Sequence, residues 1–185
     1  IGDPRAGIGV LPNGVPDIAW CFVKKGGQIK IAVNGIHLTF TIKPFYVVKY
    51  LTTYDQYQAF VTDEKTGYNN PDWWKDFPEK YHLEKLVTPS NRLPNAPRSN
   101  LSWYQSVAFA RWLDAQYRQK GLFESVLGLN PDDWRITLPP EWYWQWMARN
   151  GSEARKYPWG NDWDAARANT SEAEGITRRT SSVGM

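Results

Sequence analysis

Few side chains in this 185-residue chain can carry redox or metal chemistry: one cysteine, Cys21, and two histidines, His37 and His82. A lone cysteine closes no internal disulfide and builds no multi-thiolate metal centre. Two imidazoles do not make a three-histidine site. Cys21 lies in the alternating run Asp17–Val23 with its side chain facing away from Trp20, which predicts a small apolar or surface residue. A redox role would need an activating environment that lowers the thiol pKa. His37 and His82 fall in polar, turn-flanked surroundings and read as ordinary surface or turn residues. Glu141 follows Pro139-Pro140 at the expected start of a helix, where a carboxylate favours the free N–H groups; pairing with a basic residue is expected, and acid catalysis would need a second partner.

The more abundant resource is aromatic. Eleven tryptophans are present, five of them between Ile136 and Thr170 (Trp142, Trp144, Trp146, Trp159 and Trp163). Indole is hard to bury completely, so such a cluster means a packed aromatic core or a binding surface. Trp73-Trp74 and Trp142 are the candidates for a ligand surface, since Trp dominates binding hot spots; the competing assignment is packing of long loops onto the core.

The bulk properties exclude several classes. Hydrophobic content of 42% and charged content of 22% are those of a globular domain. Mean hydropathy is −0.59, so the aromatics stand in a polar background. No apolar run approaches the ~20 residues of a membrane span. The net charge of +3 is scattered, with only short pairs such as Lys24-Lys25 and Arg178-Arg179, which argues against a nucleic-acid surface. The start, Ile1-Gly2-Asp3-Pro4-Arg5, carries no signal-peptide pattern and no initiator Met, so a processed chain or a piece of a longer protein is expected.

These side chains are positioned by a short list of elements. Residues 1–16 are rich in Gly and Pro and predict an extended lead-in to one domain over 17–185. Asp17–Val23 alternates as a strand. Ile29–Val33 and Ile36–Ile42 flank Asn34-Gly35, the strongest two-residue hairpin signal. Phe45–Val48 is a further strand. Thr53-Tyr54-Asp55-Gln56 and Ser102-Trp103-Tyr104-Gln105 both spell a capping box. They predict helices to about Val61 and about Gln119. The second places Trp103, Val107, Ala110 and Leu113 on one stripe, with Phe109 and Trp112 beside it. Residues 63–100 read as a long loop, and 122–135 as a connection. Pro139-Pro140 opens a helix over Glu141–Arg149 that ends at Asn150-Gly151.

Four segments together resemble the formylglycine-generating enzyme, or sulfatase-modifying factor, family. Tyr50–Tyr57 is similar to its Tyr-Pro-Val-Thr-Asn-x-x-Tyr segment, and Asn95–Pro97 through Leu101–Phe109 to its Pro-Val-x-x-Val-Ser-Trp-x-x-Ala segment. Leu138–Trp144 with Ala148-Arg149 resembles Leu-Pro-Thr-Glu-Ala-Glu-Trp with Ala-Arg. Tyr157-Pro158-Trp159-Gly160 is identical to a family hallmark, and Asn169 with Thr170 matches the Asn that follows it. The four occur in family order across about residues 17–184. Tyr54, Pro140 and Tyr143 depart from the family's Asn, Thr and second Glu, which marks a divergent member.

The resemblance implies an α+β, C-type-lectin-like fold: a small twisted antiparallel sheet, two to three helices and long loops. It implies that Trp103, Trp144 and Trp159 are structural, which leaves Trp142, and with it Trp146, free to bind. It implies a structural calcium held by the Asn169 side chain, the Thr170 carbonyl, the Glu174 side chain and the Ile176 carbonyl, with Glu172 as a substitute for Glu174. Hard oxygen donors on a loop suit that ion; the bland alternative is a solvated acidic loop. The copper-binding cysteine pair of the oxidases and the three-histidine iron site of the sulfoxide synthases are both missing. The family's C-terminal third is expected to lie past Met185. The function implied is therefore a non-catalytic ligand-binding scaffold, like the variable proteins diversified by retroelements. Its expected partners are a protein or small-molecule ligand and the remaining C-terminal part of the same domain, with no nucleic acid and no membrane. The alternative is a copper-dependent oxidase that converts a substrate cysteine to formylglycine, truncated here before its catalytic cysteines.

Overall fold

The computed structural model describes residues 3–170 and 180–184. The chain divides into two compact units. One is formed by residues 1–19, 49–138 and 181–185, the other by 20–48 and 139–180.

The first unit is helical. The lead-in, expected to be extended, is folded into turns with one isolated bridge, Val10↔Pro16. Beyond it the unit holds α1 (Tyr54–Thr62) and, after a long loop, α2 (Trp103–Gln119) and the short α3 (Leu122–Leu127). Both capping boxes form as the sequence predicts. Gln56 N–H donates to Thr53 Oγ1 (3.2 Å) while Thr53 N–H donates to Gln56 Oε1 (3.0 Å); Ser102 and Gln105 repeat the exchange at 2.9 and 3.2 Å. Each Gln then uses its amide N–H₂ to tie down a separate loop. Gln56 Nε2 donates to the carbonyls of Gly7 (3.2 Å) and Asp17 (2.6 Å), which fastens the lead-in to α1. Gln105 Nε2 donates to the Tyr68 hydroxyl (3.2 Å) and the Glu84 carbonyl (3.3 Å), which fastens the 63–100 loop to α2. Both side chains are buried, so these bonds also settle polar groups that burial would otherwise penalise.

The core of this unit is aromatic. Tyr57, Phe60, Tyr68, Trp74, Phe109 and Trp112 are buried and in mutual ring contact, with Phe60 meeting Tyr57, Tyr68, Phe109 and Trp112 at 5.3–5.9 Å. The buried residues of α2 are Gln105, Ala108, Phe109, Ala110, Trp112, Leu113, Gln116 and Tyr117. Ala110 and Leu113 of the expected stripe are buried, with Phe109 and Trp112 beside them, but its first two members are not. Trp103 is 60% exposed and Val107 only half-buried, because the longer buried run at i, i+3, i+4 includes two glutamines, which a purely apolar periodicity passes over. Residues 122–135, expected as connection, contain α3, entered through Gly121 in the left-handed region (φ 61°). The return segment closes the unit. Val183 N–H donates to Asn95 O (2.9 Å), and Arg5 donates to the carbonyls of Val183 (2.9 Å) and Gly184 (3.1 Å). Arg5 and, next, Asn95 also bond the Asp3 carboxylate, holding its pKa far below the usual range.

The second unit holds two antiparallel ladders. β1 (Trp20–Val23) pairs with β4 (Phe45–Val48), and β2 (Gly27–Val33) pairs with β3 (Ile36–Ile42) around the Asn34-Gly35 turn. The hairpin register is continuous, from Gly27↔Ile42 to Val33↔Ile36. Its apolar face packs on α4 (Glu141–Ala148). Ile29, Ile31, Ile42 and Trp146 are buried together, with Phe40 and Trp142 against them. Gly27 is required here: a Cβ at that position would stand 2.6 Å from the Trp146 ring.

Candidate functional site

The long 63–100 loop of the first unit is held in place by specific bonds. Asp63 ends α1, and its carboxylate accepts from the backbone N–H of Lys65 and of Thr66 (both 3.0 Å), from Thr66 Oγ1 (2.6 Å) and from Trp112 Nε1 (3.1 Å). Burial pushes the Asp63 carboxyl up, but the Thr66 and Trp112 bonds outweigh it and hold the pKa below 3.8. Arg111 on α2 donates to the carbonyls of Trp73 (2.9 Å) and Lys75 (2.7 Å) and lies over the Phe77 ring.

The two adjacent tryptophans of this loop part company. Trp74 is 0% exposed, meets the Tyr68 ring edge-on and donates its indole N–H to the Tyr68 carbonyl (3.0 Å). Its ring is a core element with no face open to a ligand, which is the packing alternative. The reason is the one-turn 3-10 segment Pro71–Trp74, in which successive side chains point about 120° apart. Trp73 is half-buried, and its indole N–H donates to Thr66 O (2.6 Å).

In the second unit Trp142 is half-buried and stacked flat on Phe40, at 4.3 Å and 3°. The other helix α4 indoles invert the expectation drawn from the family segments. Trp146, expected to be free, is 3% exposed, with its N–H on Lys25 O. Trp144, expected to be core, is 59% exposed. The two positions are separated by about 200° around the helix, so when Trp146 faces the hairpin Trp144 faces away. Trp159 stacks on Tyr157 at 5.3 Å, within the tight turn that Tyr157 and Gly160 close by exchanging backbone bonds. Among the described residues, Glu141 accepts from the Gln145 amide and forms no ion pair with a basic residue.

The cleft between α1 and α2 has a volume of about 930 Å³. Trp112, Asp63, Thr66 and Gln116 form a hydrogen-bonded floor. Asp55, Gln58, Lys65 and Gln119 line its rim. No sequence motif marks these residues, because they come from separate segments and share only a place in the fold. A second concavity of about 360 Å³ lies beside Trp146 and Met147 in the other unit.

Asn169 and Thr170 are exposed, after the 3-10 turn Ala165–Arg167. Glu174, Ile176 and Glu172 lie outside the described residues. The four expected donors, one amide oxygen, one carboxylate and two backbone carbonyls, would all be hard oxygen ligands of the kind calcium takes. Cys21 is exposed on β1. His37 is exposed on β3, and His82 lies 2.9 Å from the Phe77 carbonyl. Among the described residues, no three His, Cys, Asp or Glu side chains converge on one point.

Antiparallel strands, capped helices and long bonded loops define an α+β domain of the C-type-lectin-like class. The chain matches the family described as Sulfatase-modifying factor enzyme 1-like domain over residues 21–184, and it belongs to that family. It is 28% identical over 140 residues to the inactive C-alpha-formylglycine-generating enzyme 2 of Mus musculus, covering 70% of this chain and 44% of the relative. It is 25% identical over 192 residues to the formylglycine-generating enzyme of Thermomonospora curvata, covering 86% of this chain and 56% of the relative. The chain thus spans about half the length of these curated relatives. No solved structure gives a significant match.

Proposed function

We propose that this chain is a non-catalytic, ligand-binding member of the family, of the type represented by retroelement-diversified variable proteins. The observation that carries the proposal is chemical. One cysteine and two histidines stand in the whole sequence, so this chain supplies neither a cysteine pair nor a three-histidine centre. The word "inactive" in the name of the mouse relative supports the same direction. A ligand would meet Trp73 in the first unit or, as a separate site, Trp142 in the second, the two candidates that are only half-buried, rather than Trp74. The remaining C-terminal part of the same domain is proposed as a partner, with Trp103 and Trp144, open at family core positions, as the surfaces it would cover.

The second reading is a copper-dependent oxidase that converts a substrate cysteine to formylglycine. The match to the Thermomonospora curvata enzyme over 86% of this chain favours it. One experiment separates the two. The full-length protein is loaded with copper and incubated with a Cys-x-Pro-x-Arg peptide, and thiol content is followed by mass spectrometry. The scaffold proposal expects the thiol to persist; its loss, dependent on protein and copper, refutes that proposal and supports the oxidase.

Asn169, Thr170, Glu174 and Ile176 would hold a calcium ion that braces the loop after the Tyr157–Gly160 turn. Asn169→Ala should lower Tm in calcium and leave it unchanged in chelator. An equal loss in both buffers would remove the site.

A further inference from the structure

The β2–β3 hairpin presents an unusual outer edge. In a two-residue hairpin the residues flanking the turn, here Val33 and Ile36, exchange both hydrogen bonds. By alternation Ile36, Leu38, Phe40 and Ile42 direct their backbone groups to β2, and His37, Thr39 and Thr41 direct theirs outward. Among the described residues β3 has no second neighbour strand. The strand reads Ile36-His37-Leu38-Thr39-Phe40-Thr41-Ile42. It contains no Lys, Arg, Asp, Glu or Pro, and its register has no bulge. Charge, proline and bulges are the devices by which sheet edges avoid pairing. All are absent here, whereas β2 carries Lys30.

Among the described residues, the apolar face of the hairpin is covered at its base. Ile42 and Ile29 lie against Trp146, and Phe40 lies under Trp142. Toward the turn the same face opens, with Leu38 at 43% and Ile36 at 64% exposure.

We propose that β3 is a self-association edge and that its occupant is β3 of a second copy of this chain, paired antiparallel about a two-fold axis at Thr39. The strand is complementary to itself in that register. His37 meets Thr41 of the second copy and Thr39 meets Thr39, each pair exchanging two backbone bonds through the groups that face outward. On the apolar face Leu38 meets Phe40 and Ile36 meets Ile42, so the open tip of each hairpin gains apolar neighbours at the covered base of the other. No like charges meet at any position of the strand. The contact is small, which places its dissociation constant on the order of micromolar rather than tighter.

The test is sedimentation across a concentration series. The wild-type chain should pass from the 21.4 kDa monomer to twice that mass in the micromolar range. Thr39→Lys and Thr39→Glu each place like charges face to face on the two-fold axis and should weaken association about 5-fold or more. An equimolar mixture of the two variants should associate at least as tightly as wild type. Thr39 is exposed, and unchanged melting of dilute variants would verify their fold. A wild-type chain that stays at monomer mass throughout overturns the proposal. So does a dimer whose midpoint ignores both variants, or a mixture no tighter than either alone.

Discussion

Replacing Gln56 with Met tests the claim that the first capping box also fastens the lead-in. Met matches Gln in length, so the change removes polar bonds with little change of volume. It deletes the bond from Thr53 N–H (3.0 Å) and the two amide bonds to Gly7 O (3.2 Å) and Asp17 O (2.6 Å). The bond from Gln56 N–H to Thr53 Oγ1 survives, because it uses backbone. Each lost bond is worth about 0.5–1.5 kcal/mol net, and Thr53 N–H stays buried without its partner. The expected loss is about 2–4 kcal/mol. For a chain of this size that corresponds to about 4–16 °C in Tm. Gln58→Met on the same helix is the control: Gln58 is half-buried on the cleft rim and its side chain makes no bond within the described residues, so less than about 0.5 kcal/mol is expected. Urea denaturation followed by circular dichroism gives both values, and hydrogen exchange should report faster opening in residues 7–17. A Gln56→Met loss below about 1 kcal/mol, or one equal to that of Gln58→Met, would refute the fastening role.

Three further outcomes follow from the same geometry. Trp74→Ala should cost about 3–5 kcal/mol by leaving a large core cavity, whereas Trp144→Ala, at an exposed position, should cost less than about 1 kcal/mol; equal losses would contradict the burial pattern. The Asp63 carboxyl titrates below 3.8 in the folded protein, so its stabilisation is present above that pH and lost as pH falls through the lower, folded value. The unfolded chain binds the extra proton in that window, so stability rises with pH there. Asp63→Asn should flatten this part of the stability–pH curve, and an unchanged slope below pH 3.8 would show that another carboxyl controls it. Ser102→Ala should loosen the 63–100 loop as well as the start of α2, because the hydroxyl also bonds Glu84; limited proteolysis in that loop should accelerate by about an order of magnitude for a lost bond worth ~1.4 kcal/mol.

Much of the local structure is set by short-range chemistry and is therefore legible along the chain. Asn34-Gly35 adopts the two positive φ values the hairpin turn needs, and that alone fixes the register of β2 on β3. Thr53 and Ser102 cap their helices because hydroxyl and amide stand three residues apart. Four family segments in order name the family. The cysteine and histidine inventory restricts the chemistry before any coordinates exist. Tertiary structure alone decides which indoles are open. Trp74 and Trp73 are neighbours in sequence, as are Trp144 and Trp146 at one remove, yet each pair divides between core and surface. The difference lies in the phase of a helical turn and in what packs against it, and both depend on contacts with residues tens of positions away. The cleft rim of Asp55, Gln58, Lys65 and Gln119 is likewise a product of folding, because no local rule brings α1 beside α2. Sequence determines which elements form and which chemistry this chain lacks; packing over long separations determines which faces remain available to a partner.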